Sequence, residues 1–103
     1  MSNPTNFWSG IGNIGKDLEL RQTTSGRAVT SFSIACDRYR KDADGNQIKD
    51  VDWINIVAWG RLAEVCSEKL SKGRAVAVQG RLNMRSYNDA EGKTHRTAEI
   101  VAD

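Results

Sequence analysis

Only two cysteines, one histidine and one proline occur among the 103 residues of this chain. Cys36 and Cys66 lie far apart, with His95 as the sole further soft ligand, so neither a zinc site nor a disulfide framework is suggested. Both are expected to be small buried thiols. One proline against nine glycines, with 39% hydrophobic and 27% charged residues, excludes collagen-like and disordered classes. No apolar run approaches bilayer length, and Met1 to Asn6 lacks a basic segment leading into an apolar one. A cytoplasmic location without membrane association is therefore expected. Charge of one sign is scarce as well. Fifteen Lys and Arg against thirteen Asp and Glu leave a formal +2, so bulk attraction to a polyanion is excluded and any such binding has to come from local arrangement. The length excludes a two-domain enzyme and predicts one domain over residues 1–103.

What is present is mostly strand pattern. Val51 to Trp59 alternates, with Ile54, Ile56 and Ala58 on one face and Trp53, Asn55, Val57 and Trp59 on the other. Ala28 to Cys36 alternates too, with Thr30, Phe32, Ile34 and Cys36 opposite Val29, Ser31, Ser33 and Ala35. Between them the charged stretch Arg38 to Asp50, with Asp44 and Gly45, predicts the tip of a long hairpin. From Arg61 to Leu70 the period changes, because Leu62, Val65, Cys66 and Leu70 share a helical face; Lys72 and Gly73 predict a glycine-terminated helix end. Alternation returns at Arg74 to Leu82, with Val76, Val78 and Leu82 expected inward, and an extended arm continues through Met84 to Tyr87. A second hairpin tip falls at Asn88 to Lys93, Thr94 to Ala102 closes the pattern, and Phe7 to Arg21 opens it as a strand interrupted by glycines. Three strands, a helix and two strands is the order of an all-β, five-stranded OB barrel with one helix between strands three and four.

Several motifs invite chemistry and fail on context. Gly10, Gly12 and Gly15 spell GxGxxG, but no full helix follows and no β/α alternation exists, so bends in a barrel strand are expected instead of a dinucleotide site. Asp42, Asp44, Asp50 and Asp52 resemble a calcium loop only until the register is tried: with Gly45 at the turn position, the first and last ligands fall on Arg40 and Val51. No carboxylate pair shares an inward face, and no nucleophile has a base beside it. No catalytic residue, metal or cofactor is expected, and the chain is not read as an enzyme.

The aromatic residues are placed differently. Trp53 and Trp59 share the strand face opposite Ile54 and Ile56, while Tyr39 and Tyr87 stand on hairpin arms among Arg38, Arg40, Lys41 and Arg85. Water-facing rings flanked by guanidinium groups suit stacking on unpaired bases, each ring offering a π-face and each cation a phosphate contact. The same pattern also suits a second apolar face or a subunit contact.

The run Gly12-Asn13-Ile14-Gly15-Lys16-Asp17 with Glu19 and Arg21, then Asp52-Trp53, then Trp59-Gly60-Arg61-Leu62-Ala63-Glu64-Val65, Lys72-Gly73 and Gly80-Arg81-Leu82, closely resembles the bacterial single-stranded DNA-binding protein family. The resemblance runs from Asn6 to Ala102. It implies sequence-independent binding and protection of single-stranded DNA in replication, repair or recombination, by a homo-oligomer, most simply a tetramer. It places stacking aromatics on Tyr39, Trp53, Trp59 and Tyr87 and phosphate-contacting cations on Arg21, Arg61, Lys72 and Arg85. Ile54 and Asn55 stand where the family commonly has His and Arg, Asn83 replaces a common basic residue, and Phe7-Trp8-Ser9-Gly10 replaces an aliphatic run that pairs between subunits. The family's flexible linker and acidic tip are not found in this sequence, so tail-dependent protein partners are not expected. The alternative from another class is an OB module for protein interaction or assembly, its aromatic face a subunit interface.

Overall fold

A computed structural model describes residues 5–103, and part of the leader reading over Met1 to Asn6 lies outside the described residues. Its elements are β1 (Trp8–Ile14), β2 (Arg21–Gln22), β3 (Ala28–Lys41), β4 (Gln47–Trp59), α1 (Gly60–Lys69), β5 (Ala75–Asn88) and β6 (Thr94–Ala102). The strands follow the order β1-β5-β6-β4-β3, and β1 returns to β3 through Asn13↔Ala35 and Ile14↔Ile34, which closes a five-stranded barrel. The two-residue β2 is an addition on the outer side of β3. All pairs are antiparallel except β4 with β6, which run parallel through Ile56↔Ile100 and Val57↔Val101. The expected barrel with a helix after its third long strand is therefore observed.

The alternation explains the core. Ile34 and Phe32 on β3, Ile56 on β4, Val78 on β5, Ile100 on β6 and Ile14 on β1 all point inward and form one buried cluster. Each such side chain contributes about 1.5–3 kcal/mol on burial. Thr30, also buried, donates its hydroxyl to the Glu19 carbonyl at 2.9 Å. On α1, Ala63 is fully buried, and Leu62 and Cys66, with Leu70 just after the helix, border a cleft with Phe32, Val76, Val78 and Ala102.

Four sequence expectations are corrected. Leu82 is exposed although its partner Ile100 lies in the core: β1 begins at Trp8 opposite Gly80, so no strand flanks the other edge of β5 at Leu82. Asn6 pairs with Leu82 there through its side-chain amide, donating to the Leu82 carbonyl at 2.7 Å and accepting its N–H at 2.9 Å. Val57, expected outward, is buried at the floor of a groove, flanked in register by Ser31 and Val101. The helix ends with Leu70 in extended conformation rather than at a glycine; Gly73, at φ +89°, instead serves the following turn, its N–H donating to the Ile14 carbonyl at 2.8 Å. The two cysteines are half-buried, not buried. The glycines of β1 lie where the strand passes from β5 to β3 at Asn13, and one of them also permits close approach: a Cβ on Gly12 would stand 2.6 Å from the Ala35 carbonyl oxygen.

Three hairpin tips share one five-residue loop: Thr23–Arg27, Asp42–Asn46 and Asp89–Lys93. In each, the first N–H donates to the fifth carbonyl and a glycine at φ +81° to +85° occupies the fourth position. In the two acidic loops, Oδ1 of Asp42 accepts the N–H groups of Asp44 and Asn46, and Oδ1 of Asp89 accepts those of Glu91 and Lys93, all at 2.9 Å. This is the short-range capture of backbone donors that makes aspartate a turn residue.

Candidate nucleic-acid interface

On the outward face of β4, Trp53, Asn55, Val57 and Trp59 follow one another at every second residue. Asn55 and Val57 line an open groove of about 480 Å³, whose walls carry Ser31 and Ser33 from β3 and Arg85, Tyr87, Thr97 and Glu99 from the β5–β6 arm. Trp53 and Trp59 stand at the two ends of this stretch, about 20 Å apart along the strand. Lys16 lines this groove and also a second one, formed with Asp17, Glu19, Arg21, Val29 and Ser31. The two grooves thus adjoin at Lys16 and Ser31.

The register fixes the flanking residues. Trp59 opposes Val29, which opposes Arg21, so these three form a row across β4, β3 and β2. The Trp59 ring is half-buried, with the Arg27 guanidinium 4.5 Å from its centroid. One face of that indole is therefore engaged by a cation, in the geometry expected from the negative ring face. Trp53 is 60% exposed. Tyr39 opposes Lys49 on the same face of the β3–β4 ribbon, about 13 Å beyond the Ala35↔Trp53 pair. Tyr87, 54% exposed, stacks on His95 with ring centroids 5.1 Å apart and planes 20° from parallel.

The structure separates the cations into two kinds. Arg85 contacts Glu99 at 3.6 Å, and Arg21 contacts Glu19 at 3.4 Å, both at the grooves. Lys72 is exposed in the loop after α1, where its backbone N–H donates to Oδ1 of Asp17 at 2.9 Å and so sits next to the second groove. Arg61 is not brought to either groove: it lies exposed in the first turn of α1, 3.7 Å from Glu64. Arg38 and Arg40 point to the face opposite Tyr39. There Arg38 grips Asp52 at 3.0 Å and approaches Asp50 at 3.6 Å, and Arg40 binds Asp50 at 2.7 Å. Asp50 and Asp52 are thereby occupied by ion pairs and Asp42 by turn hydrogen bonds, and the Arg40 guanidinium, first among its neighbours, holds the Asp50 carboxyl below the usual carboxylate range.

Sequence reasoning missed Lys16, Arg27, Ser31, Ser33, Thr97 and Glu99. The parity of Ser31 and Ser33 was readable, since they alternate with buried Phe32, but only the closed barrel shows that they face the β5–β6 arm. Glu99 has a side chain only 15% exposed, accepting from Asn83 Nδ2 at 3.1 Å beside Arg85. Burial pushes both thiols up, Cys36 also by the charges of Asp52 and Asp37, so neither is an activated nucleophile. Among the described residues no group of three or more His, Cys, Asp or Glu could hold a metal ion, and no helix is long and apolar enough to cross a membrane.

With this geometry in view, the relatives are informative. The chain is 45% identical over 92 residues to single-stranded DNA-binding protein 1 of Chlorobaculum tepidum, a match spanning 88% of this chain and 57% of that protein. It is 40% identical over 93 residues to the single-stranded DNA-binding protein of Caldanaerobacter subterraneus, spanning 90% and 61%. The chain thus matches less than two thirds of the length of each of these relatives. A solved structure of Plasmodium falciparum SSB in complex with ssDNA superposes with a TM-score of 0.87 at 25% identity, covering 98% of this chain and 89% of that one. Residues 6–103 match the single-strand binding protein family, and to that family this chain belongs.

Proposed function

We propose that this domain binds single-stranded DNA without sequence preference and shields it during replication, repair or recombination. The observation that carries the reading is the groove beside β4, lined by Asn55 and Val57 with Tyr87 and Arg85 on its opposite wall, and the presence of Trp53 and Trp59 on the same strand before and after those two residues. Bases stack on Trp53, Trp59 and Tyr87, and on Tyr39 where the strand continues along the β3–β4 ribbon. Stacking is indifferent to base identity because every base has a π-face, which accounts for the absence of sequence preference. Phosphates pair with Lys16, Arg21, Arg85 and Lys72 along the two adjoining grooves, and with Arg61 where the strand passes the start of α1. The domain is a binding module and not an enzyme, in keeping with its family.

The groove lining favours this reading over a dry protein interface. Ser31, Ser33, Asn55, Thr97 and Glu99 present hydroxyl, amide and carboxylate groups that a dry contact would leave without water. A homo-oligomer, with four copies as the expected number, is supported elsewhere on the molecule: Ile11 is 72% exposed on the outer face of β1, opposite exposed Ala77 and next to exposed Ala75. We place the protein in the cytoplasm.

Quenching of tryptophan emission by oligo(dT), titrated at several salt concentrations with a duplex competitor, tests the proposal. Single strands should win strongly, and log affinity should fall with log salt at about 0.7 per neutralised phosphate. Equal affinity for duplex, or emission indifferent to oligo(dT), overturns it.

A further inference from the structure

The β5–β6 hairpin carries a side-chain arrangement that the groove alone does not require. Tyr87 and His95 are cross-strand partners, and their rings stack at 5.1 Å, close to the spacing between neighbouring strands. His95 Nε2 lies 2.7 Å from Oδ2 of Asp89. The other oxygen of the same carboxylate, Oδ1, accepts the two backbone N–H groups that shape the hairpin tip. One carboxylate therefore fixes both the turn and the imidazole, and the imidazole in turn backs the phenol ring. More than half of Tyr87 remains exposed, so its ring is held on one side and open on the other.

Resting on the single-strand reading above, we propose that His95, anchored by Asp89, is a positioning residue that backs the Tyr87 ring and completes a two-ring step on which a nucleobase stacks. The physical gain is pre-organisation. A tyrosine on a two-stranded arm loses rotamer freedom when a base lands on it, and a ring already clamped by its neighbour has less to lose. A base on the open face then extends a stack already two rings deep.

The chain's single histidine makes the test direct. Saturating the parent protein with oligo(dT) should shift the His95 ring-proton resonances through the ring current of the stacked base, and the shift should vanish in Tyr87→Ala. His95→Ala should weaken oligo(dT) binding about five- to tenfold, the lower part of the range for one stacking ring. His95→Phe, which restores a ring, should stay within about twofold of the parent on the same scale. In a Tyr87→Ala background, His95→Ala should cost nothing further, a non-additivity that general loss of stability would not produce. If tryptophan quenching reports binding while the His95 signals stay still, or if the His95→Ala loss is equal with and without Tyr87, the positioning role is overturned and DNA binding stands. If the parent leaves tryptophan emission unmoved, the single-strand reading itself falls, and this role with it. Should His95→Ala fail to fold, the resonance measurement on the parent decides.

Discussion

The outer ring of the Trp53 indole fills the space that a side chain on Gly15 would need: a Cβ there would stand 2.6 Å from Cζ3 and 3.2 Å from Cη2. Gly15 is not in the left-handed region, and its N–H donates to the Ser33 carbonyl at 3.0 Å, a bond that alanine keeps. Gly15→Ala is therefore expected to turn Trp53 away from its resting place while leaving the barrel intact. Affinity for oligo(dT) should fall by about 1 kcal/mol, the lower end of a stacking contribution. The thermal midpoint should hardly move, since the displaced ring is largely exposed. An unchanged affinity would show that the Trp53 pose is irrelevant to binding.

Glu99 holds a negative charge in the groove wall and occupies Arg85. Glu99→Gln should tighten binding of oligo(dT) by no more than about 1 kcal/mol at low salt, because Arg85 is exposed and the pair is partly screened. The gain should disappear at about 1 M salt, where the Debye length is a few ångströms. Titrations at two salt concentrations distinguish this from a change in shape, which would persist in both.

Trp59 carries Arg27 on one face and is half-buried, so its truncation affects more than one property. Trp59→Ala should cost about 1–3 kcal/mol of single-strand binding. Trp59→Phe should retain most of it, because any ring offers a π-face. Both variants need a melting curve beside the titration: a Trp59→Ala protein that melts far lower yet, once folded, binds as tightly as the parent would refute the stacking role.

Two carboxylates tie stability to pH. The Arg40 hydrogen bond holds Asp50 below the usual carboxylate range, and the His95 hydrogen bond, followed by the Lys93 N–H, does the same for Asp89. A depressed folded pKa means that the stabilisation is fully present above the unfolded value and is lost as pH falls through the folded one. The thermal midpoint should thus drop with acidification below about pH 4, near the ordinary aspartate value. Asp50→Asn and Asp89→Asn should each flatten that drop, and salt should blunt it, since both groups face water.

The parts of this molecule that were readable from sequence are those set by local period. Thr94 and Ala102 bound β6 where the alternation begins and ends, and Trp53 lies outward because Ile54 and Ile56 lie inward. What period two cannot convey is where a face stops being covered. Leu82 keeps the inward parity of Val78 but lies past the end of its neighbour β1, and Val57 keeps the outward parity of Trp53 but lies in a concavity made by other strands. Arg38 and Arg40 neighbour Tyr39 in sequence, but parity sends them to the other side, where Asp50 and Asp52 occupy them. Among site residues, the rings announced themselves by type. Ser31, Ser33 and Thr97 are ordinary residues whose importance comes from three strands meeting.

The parallel contact of β4 with β6 has a consequence for how the chain reaches this state. The β3–β4 and β5–β6 hairpins are local and can form from neighbouring residues, whereas Ile56 must find Ile100 across the helix and the whole of β5. Loop closure of that length is slow compared with hairpin formation. Hairpins first and barrel last is the expected order for this topology, to be checked by pulse-labelled amide exchange during refolding. During synthesis, the aromatic ribbon of β3 and β4 emerges before the β5 and β6 residues that help cover its inward face, and the arrival of Ile100 completes the cluster of Ile14, Phe32, Ile34, Ile56 and Val78.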